Sequence, residues 1–345
     1  MTYPLPSPGV IKTLLTVPEE TATFVKSARQ TAIDIVKGAD QRLALIVGPC
    51  SIHDKQSAVE YAHRVKALSE RVESTCFIVM RVYAEKPRTS IGWKGLLYDP
   101  HLDGSNAIET GLIWTRELLL ELGKMRVPCA TEFVDPMAAL YFEDLITWGF
   151  IGARTSASQP HRIFSSSLEI PVGFKNSVEG NLDSAIYGVL SAQEPHAALS
   201  IDPEGKLCAS QTKGNPLSHV VLRGGDESTN YDAMSIAVAL EKLRHKQLPE
   251  RLLIDCAHGN CEKQSDKQPG VFLSILEQIA TGNSKIMGMM LESHLKRGNQ
   301  PLTKDLSRLE YAVSITDPCI DWQTTEALIL SAHDLLLERF SAVIS

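Results

Sequence analysis

Eight short apolar runs, each passing through polar residues into a helical pattern, limit most strongly what this chain can fold into. They are LALIVGPCSI (43–52), FIVMRVYAE (77–85), VPCATEFV (127–134), GFIGARTSA (149–157), IPVGFKNS (170–177), HVVLRGG (219–225), RLLIDCAHG (251–259) and KIMGMMLESHL (285–295). They are apolar on both faces, as strands covered by helices on either side must be. Between them the spacing turns helical. In 55–72, Ala58, Ala62, Val65, Leu68 and Val72 recur at helical intervals. In 105–123, Ser105 is placed to cap a helix and Gly123 to end it. Eight strands with helical crossovers imply an α/β fold, a (β/α)8 TIM barrel. A doubly wound open sheet is the alternative that counting leaves open.

Two segments stand outside the alternation. Residues 1–42 form an N-terminal extension with a helix over about 18–37. Residues 198–212 read as an inserted β-hairpin turning at Asp202-Pro203-Glu204-Gly205. With no linker or low-complexity tract, 43–345 is expected to be one catalytic barrel carrying that hairpin. The extension is read as an interface or regulatory piece. The net charge of −7 speaks against a nucleic-acid binder working by bulk electrostatics. No apolar run reaches the roughly 18 residues of a membrane span. The start, MTYPLPSPGVIK, lacks the basic and apolar parts of a signal peptide. Seven scattered cysteines read as reduced thiols, so a cytoplasmic protein is expected.

In a parallel barrel the active site forms at the C-terminal ends of the strands. Those ends carry Cys50, Arg81, Lys86, Arg88, Glu132, Arg154, Lys175, Arg223, His258 and Glu292, with Asp317 in the loop SITDPC beyond the last. Each cation taken alone reads as a salt bridge to a neighbouring helix. Arg81, Lys86, Arg88, Arg154, Lys175 and Arg223 converging on one cavity would repel unless the ligand brings several negative charges. Phosphates do, and Arg meets them with a bidentate fork. A second group is Cys50, His258, Glu292 and Asp317. One thiolate, one imidazole and two carboxylates can hold a divalent metal, with Mn, Fe, Co and Zn all tolerated. Cys256 and Cys261 flank His258, but their spacing fits no zinc motif.

The motifs GPCSIHD (48–54), RVYAEKPRTSIGWKGLLYDPHLDGS (81–105), GARTSASQPHR (152–162), PVGFKNS (171–177), HVVLRGG (219–225), IDCAHGN (254–260), ESHL (292–295) and SITDPC (314–319) resemble those of 3-deoxy-D-arabino-heptulosonate-7-phosphate (DAHP) synthases, type I alpha. The resemblance runs from about residue 10 to the C-terminus. It implies condensation of phosphoenolpyruvate with D-erythrose 4-phosphate, the first step of the shikimate pathway of aromatic amino acid biosynthesis. Carried over position by position, it implies that Arg81, Glu132, Ala153, Arg154, Lys175 and Arg223 bind phosphoenolpyruvate. Lys86, Pro87, Arg88, Thr89 and Ser90 receive erythrose 4-phosphate. Cys50, His258, Glu292 and Asp317 hold one divalent metal, with Mn²⁺ the first expectation. Lys86, His258 and Asp317 are the implied catalytic groups.

The resemblance also implies a homodimer or homotetramer, and an aromatic amino acid effector held by the extension and the hairpin. Ser200 matches the family pattern there, whereas Ala139, Glu169 and Ala198 depart from the common Pro, Ser and Phe. Phenylalanine, tyrosine, tryptophan and no effector all stay open. Two other readings remain: a synthase using another aldose phosphate, and a non-catalytic regulatory barrel. The first is opposed by the retained KPRTS and GWKG segments.

Overall fold

A computed structural model describes residues 3–344. Eight parallel strands close into a barrel in the order β1-β10-β9-β8-β5-β4-β3-β2. They are β1 (Leu43–Gly48), β2 (Cys76–Arg81), β3 (Cys129–Glu132), β4 (Trp148–Ile151), β5 (Val172–Lys175), β8 (Ser218–Leu222), β9 (Leu252–Asp255) and β10 (Ile286–Glu292). The missing numbers are the hairpin strands β6 (Ala197–Ile201) and β7 (Leu207–Gln211), which pair antiparallel apart from the barrel. Around the barrel lie α3 (Lys55–Val72), α4 (Ile108–Lys124), α5 (Pro136–Ala139), α6 (Gln159–Ser167), α7 (Asp183–Gln193), α8 (Ala233–His245), α9 (Gln268–Ala280) and α10 (Trp322–Ile344). Two helices, α1 (Pro8–Leu14) and α2 (Glu19–Lys37), precede β1. Among the described residues, no helix is long and apolar enough to cross a membrane. The closed parallel barrel excludes the open sheet.

Every barrel strand is shorter than its apolar run, and the difference lies mostly at the C-terminal end. There the backbone leaves the ladder and turns its side chains toward the site. Two cores result. Outward strand residues Leu45, Val47, Phe174 and Ile254 are fully buried beneath the helices, with Tyr61 of α3 in the same cluster. Inward residues fill the barrel: Ala44, Ile46, Val79, Ala130, Trp148, Phe150, Val221, Leu253 and Met290 form one cluster. Ala32, Ile35 and Val36 of α2 belong to that same inner cluster. The helix of the extension therefore stoppers the barrel at the end opposite the site.

Polar contacts hold the extension down. Arg116 of α4 is 1% exposed and binds Asp144 through two bonds of 2.7 and 2.9 Å. The same guanidinium donates to the carbonyls of Leu15 and Tyr141, each at 3.0 Å. Gly9 N–H reaches the Pro203 carbonyl at the hairpin turn (2.7 Å).

Three local features differ from the sequence reading. Helix α4 starts at Ile108, not at 105. Ala107 is its N-cap and makes no side-chain bond, and Ser105 instead donates its N–H to Asp103. Gly123 does not end α4. It lies inside the helix because α2 crosses closely there, and a Cβ would come 2.6 Å from the Thr21 methyl. The turn is made by Arg126, with φ +59°. Helix α1 escaped the reading although Ser7 caps it and Pro8 opens it, a recognised start signal.

Because α2 fills the barrel's lower end, Ile35→Ala is expected to cost about 2–5 kcal/mol, as other large-to-small core changes do. Val10→Ala, at a residue 57% exposed, should be close to neutral. Thermal unfolding of both variants checks this; equal melting temperatures would mean that α2 only lies on the surface.

Candidate active site

A cavity of about 290 Å³ opens at the C-terminal ends of the strands. It is lined by Arg81, Lys86, Pro87, Arg88, Thr89, Ser90, Glu132, Ala153, Arg154, Lys175, Arg223, His258, Glu292 and Asp317. Of the residues singled out from sequence, only Cys50 is absent from the wall; it is fully buried behind Lys86 and Asp317. Lys263 also lines the space. Seven cationic side chains thus face three carboxylates, an excess of four in a chain whose net charge is −7.

The deeper cations have counter-ions on other strands. Arg81 ends β2, is 0% exposed, and holds Glu292 of β10 at 3.0 Å. Its guanidinium lies over the Tyr83 ring, 4.0 Å from the centroid. Lys175 ends β5 and meets Asp255 of β9 at 2.8 Å. His258 Nδ1 lies 2.9 Å from the same carboxylate without the alignment of a hydrogen bond. Burial alone would raise Asp255, yet His258 and Lys175 hold it well below the usual carboxylate range. His258 has a left-handed backbone (φ +57°), a rare state for a residue with a Cβ.

An asparagine frame sets Arg223. Its N–H donates to Asn176 Oδ1 (2.8 Å), and the Asn176 amide donates to the Gly224 carbonyl (2.9 Å). Asn230 takes the Gly224 N–H (2.8 Å), and Asn260 takes that of Asn230 (2.8 Å). Glu132 stands against Gly152, where a Cβ would fall 2.0 Å from its carboxylate oxygen and push that side chain aside.

The segment 86–95 returns on itself through the Lys86 N–H to Lys94 carbonyl bond (2.8 Å). Its exposed tip is held across the cavity mouth by Arg154 Nε donating to Thr89 Oγ1 (2.9 Å). Arg88, Thr89 and Ser90 are exposed.

One sulfur and two carboxylates come together beside Lys86. Ligand atoms of Cys50, Glu292 and Asp317 lie within 4.8 Å of one another. His258 stands next to this group, its Nε2 3.5 Å from Glu292 Oε1. The Lys86 ammonium binds Cys50 Sγ (2.7 Å) and Asp317 Oδ2 (2.9 Å). Burial would discharge Lys86, but Cys50, Asp317 and Glu292 outweigh it and keep the amine charged. Lys86 in turn holds Asp317 well below the usual carboxylate range. Burial, with Glu292 adding to it, pushes the Cys50 thiol up to about 12. A site that draws an ammonium onto a sulfur and a carboxylate suits a divalent cation, whose charge would bring that thiol down. The donor set thus fits a borderline metal.

A sequence model of the DAHP synthetase I family matches residues 17–329. The chain belongs to that family. It is 43% identical to the Tyr-sensitive phospho-2-dehydro-3-deoxyheptonate aldolase of Escherichia coli, over 98% of this chain and 95% of that protein. It is 45% identical to the Trp-sensitive enzyme of the same organism, over 92% and 91%. The solved structure of phospho-2-dehydro-3-deoxyheptonate aldolase from Francisella tularensis superposes with a TM-score of 0.95 at 40% identity, covering 98% of each chain. Family membership and the barrel agree with the motifs read from sequence.

Several residues around this DAHP synthetase site had no role in the sequence reading: Asp255, Lys263, Gln268, the asparagines and Glu85. Asp255 ends β9, but nothing local marks its two partners. Glu85 is 1% exposed and accepts the N–H groups of Val134 (3.4 Å) and Asp135 (3.2 Å). Tyr98 donates to both Asp135 (3.1 Å) and Glu85 (3.4 Å). This trio ties the root of segment 86–95 to the loop after β3. Burial, with Asp135 nearby, pushes Glu85 up to about 8.

Between the ordinary value of 4.5 and about 8, the folded chain keeps a Glu85 proton that the unfolded chain has lost. The stabilisation is complete below 4.5 and disappears as pH rises through about 8. Glu85→Gln, neutral throughout, should therefore gain on the wild type in melting temperature as pH rises across that window. A difference independent of pH would show that Glu85 is ionised in the folded state.

Proposed function

We propose that the cavity condenses phosphoenolpyruvate with D-erythrose 4-phosphate and water, giving 3-deoxy-D-arabino-heptulosonate 7-phosphate and inorganic phosphate. This would be the first step of the shikimate pathway. The observation that carries the reading is a cation-rich cavity wall, on which Arg88, Arg154 and Arg223 have no carboxylate partner among the described residues, beside a sulfur–carboxylate cluster. Two phosphorylated substrates supply the matching negative charge. Relatives named phospho-2-dehydro-3-deoxyheptonate aldolase supply the reaction class.

In this reading Arg154, Lys175 and Arg223, with the Ala153 N–H, hold the phosphate and carboxylate of phosphoenolpyruvate. Arg81 braces the floor through Glu292, and Glu132 borders the site. Arg88, Thr89 and Ser90 take the phosphate of the aldose, and Pro87 stiffens the turn that presents them. C3 of the enol phosphate attacks the aldehyde carbon. Lys86 delivers a proton to the aldehyde oxygen as charge builds there. Water then adds at C2, and the phosphohemiketal collapses with C–O cleavage. Much of the rate gain comes from holding two anions together in attack geometry. Cys50, His258, Glu292 and Asp317 would hold one divalent ion, Mn²⁺ foremost, with Fe²⁺, Co²⁺ and Zn²⁺ as alternatives. When bound, such an ion supplies Lewis acidity toward a carbonyl oxygen.

Tyr- and Trp-sensitive relatives motivate an aromatic amino acid effector for this chain too. The proposed seat lies between the extension and the hairpin, where Ala139 is buried and Glu169 faces Lys213 at 3.4 Å. Leu199 and Leu207 on the hairpin are 81% and 75% exposed, which favours a homo-oligomer that covers them. Seven free cysteines suit the cytoplasm.

Lys86→Ala should lower turnover about 10²–10⁴-fold, the range of one general acid, and leave phosphoenolpyruvate affinity nearly intact. Near-normal turnover would remove Lys86 from proton transfer. Chelation should abolish activity and Mn²⁺ restore it; indifference to chelator would dismiss the four-ligand site.

A further inference from the structure

We propose that Gln268 is a positioning residue whose side-chain amide stands in for a missing strand residue and aims the Glu292 carboxylate at the cation site. The inference rests on the reading of Cys50, His258, Glu292 and Asp317 as metal ligands, and concerns how one of them is held.

Strand β10 runs on to Glu292, but its neighbour β9 does not keep pace. Their register ends at Met290 opposite Asp255, and the last rung is the Cys256 N–H to the Met290 carbonyl (2.9 Å). From there the chain leaves the barrel and enters the turn at His258–Cys261. On the other side β1 still keeps pace, with Gly48 opposite Glu292 and the Ser293 N–H on the Gly48 carbonyl (2.9 Å). On the β9 side the Glu292 carbonyl accepts the Ile320 N–H (3.0 Å) beyond the end of β9, but the Glu292 N–H faces the protein interior with no main-chain partner among the described residues. Buried main-chain groups are almost always paired.

Gln268 fills the gap. It is 0% exposed and lines the cavity. Its Oε1 accepts the Glu292 N–H (2.9 Å), the bond no main-chain group supplies, and its Nε2 adds a second donor to the Glu292 carbonyl (3.1 Å). A side-chain amide carries the same donor and acceptor pair as a peptide unit, so it can take the place of a strand on this side. Gln268 is also the first residue of α9, and Pro269 directly after it restricts the local backbone. Both faces of the Glu292 peptide are thus locked. Its carboxylate lies 3.0 Å from Arg81 and 3.5 Å from His258, close to Cys50 and Asp317. Tilting this one peptide would swing the carboxylate away from all four. Gln268 touches neither substrate nor reacting atoms in this account.

The test is Mn²⁺ binding to metal-stripped enzyme, read from the electron paramagnetic resonance of free Mn²⁺. Gln268→Met keeps the side-chain volume and removes both hydrogen bonds. Its Mn²⁺ affinity should fall about 10–100-fold, the usual effect of losing a partner that orients a ligand. Leaving the buried Glu292 N–H without an acceptor should lower the melting temperature of the metal-free protein by a few degrees without unfolding it, and its phosphoenolpyruvate affinity should stay near wild type. Gln268→Glu, which keeps the acceptor for the Glu292 N–H, should lie between the two and serves if the methionine variant does not fold. Unchanged Mn²⁺ affinity in Gln268→Met would overturn the proposal. So would a loss matched by collapse of the metal-free protein, which would make Gln268 structural only. Glu292→Gln in the same assay separates the layers: if it too binds Mn²⁺ normally, the ligand reading itself has failed.

Discussion

Charge balance at one end of the barrel is the constraint on which the rest of the structure depends. Arg81 with Glu292, Lys175 with Asp255, and Lys86 with Asp317 are pairs between different strand ends. Removing water from such groups costs several kcal/mol per ion, and deleting one partner of a buried pair typically costs about 3–5 kcal/mol. The barrel makes the arrangement tenable by fixing each end to its neighbours through a continuous ladder. The pairs leave cationic capacity over, because Arg88, Arg154, Arg223 and Lys263 face the cavity too, and among the described residues Lys263 alone of these has a carboxylate partner, Asp226 at 3.4 Å. A site that is balanced at its floor and electropositive at its mouth is prepared for anions rather than assembled by them.

The same constraint explains the division of labour among the elements. Helix α2 packs onto the inner core at the opposite end. The loop after β2 carries both Lys86 and the exposed 88–90 tip, and it is anchored at its root by Glu85 and across the mouth by Arg154. Its fixed root keeps the Lys86 amine on the floor, while its tip stays open above. The DAHP synthetase family assignment and the charge argument therefore meet on the same residues.

Much of this was legible in the sequence, for a physical reason. Buried parallel strands write themselves as continuous apolar runs, and barrels put chemistry where those runs end. Cys50, Arg81, Lys86, Arg223 and Glu292 were found by that rule alone. What escaped acts through the main chain of distant residues. Gln268 bonds to a peptide 24 positions away, and Glu85 to one 49 away. No local period or spacing records such a contact. Gly123 misled for a related reason: its meaning is the approach of α2, not the end of α4. Ser105 offered a capping side chain that the real helix start, three residues later, does not use.

The central claim is that this cavity joins two phosphorylated substrates, and phosphate release from phosphoenolpyruvate tests it most directly. Release should require both D-erythrose 4-phosphate and a divalent metal, and one seven-carbon 3-deoxy keto acid phosphate should form per phosphate freed. Release that proceeds without the aldose phosphate, or no release with any metal, would contradict the account.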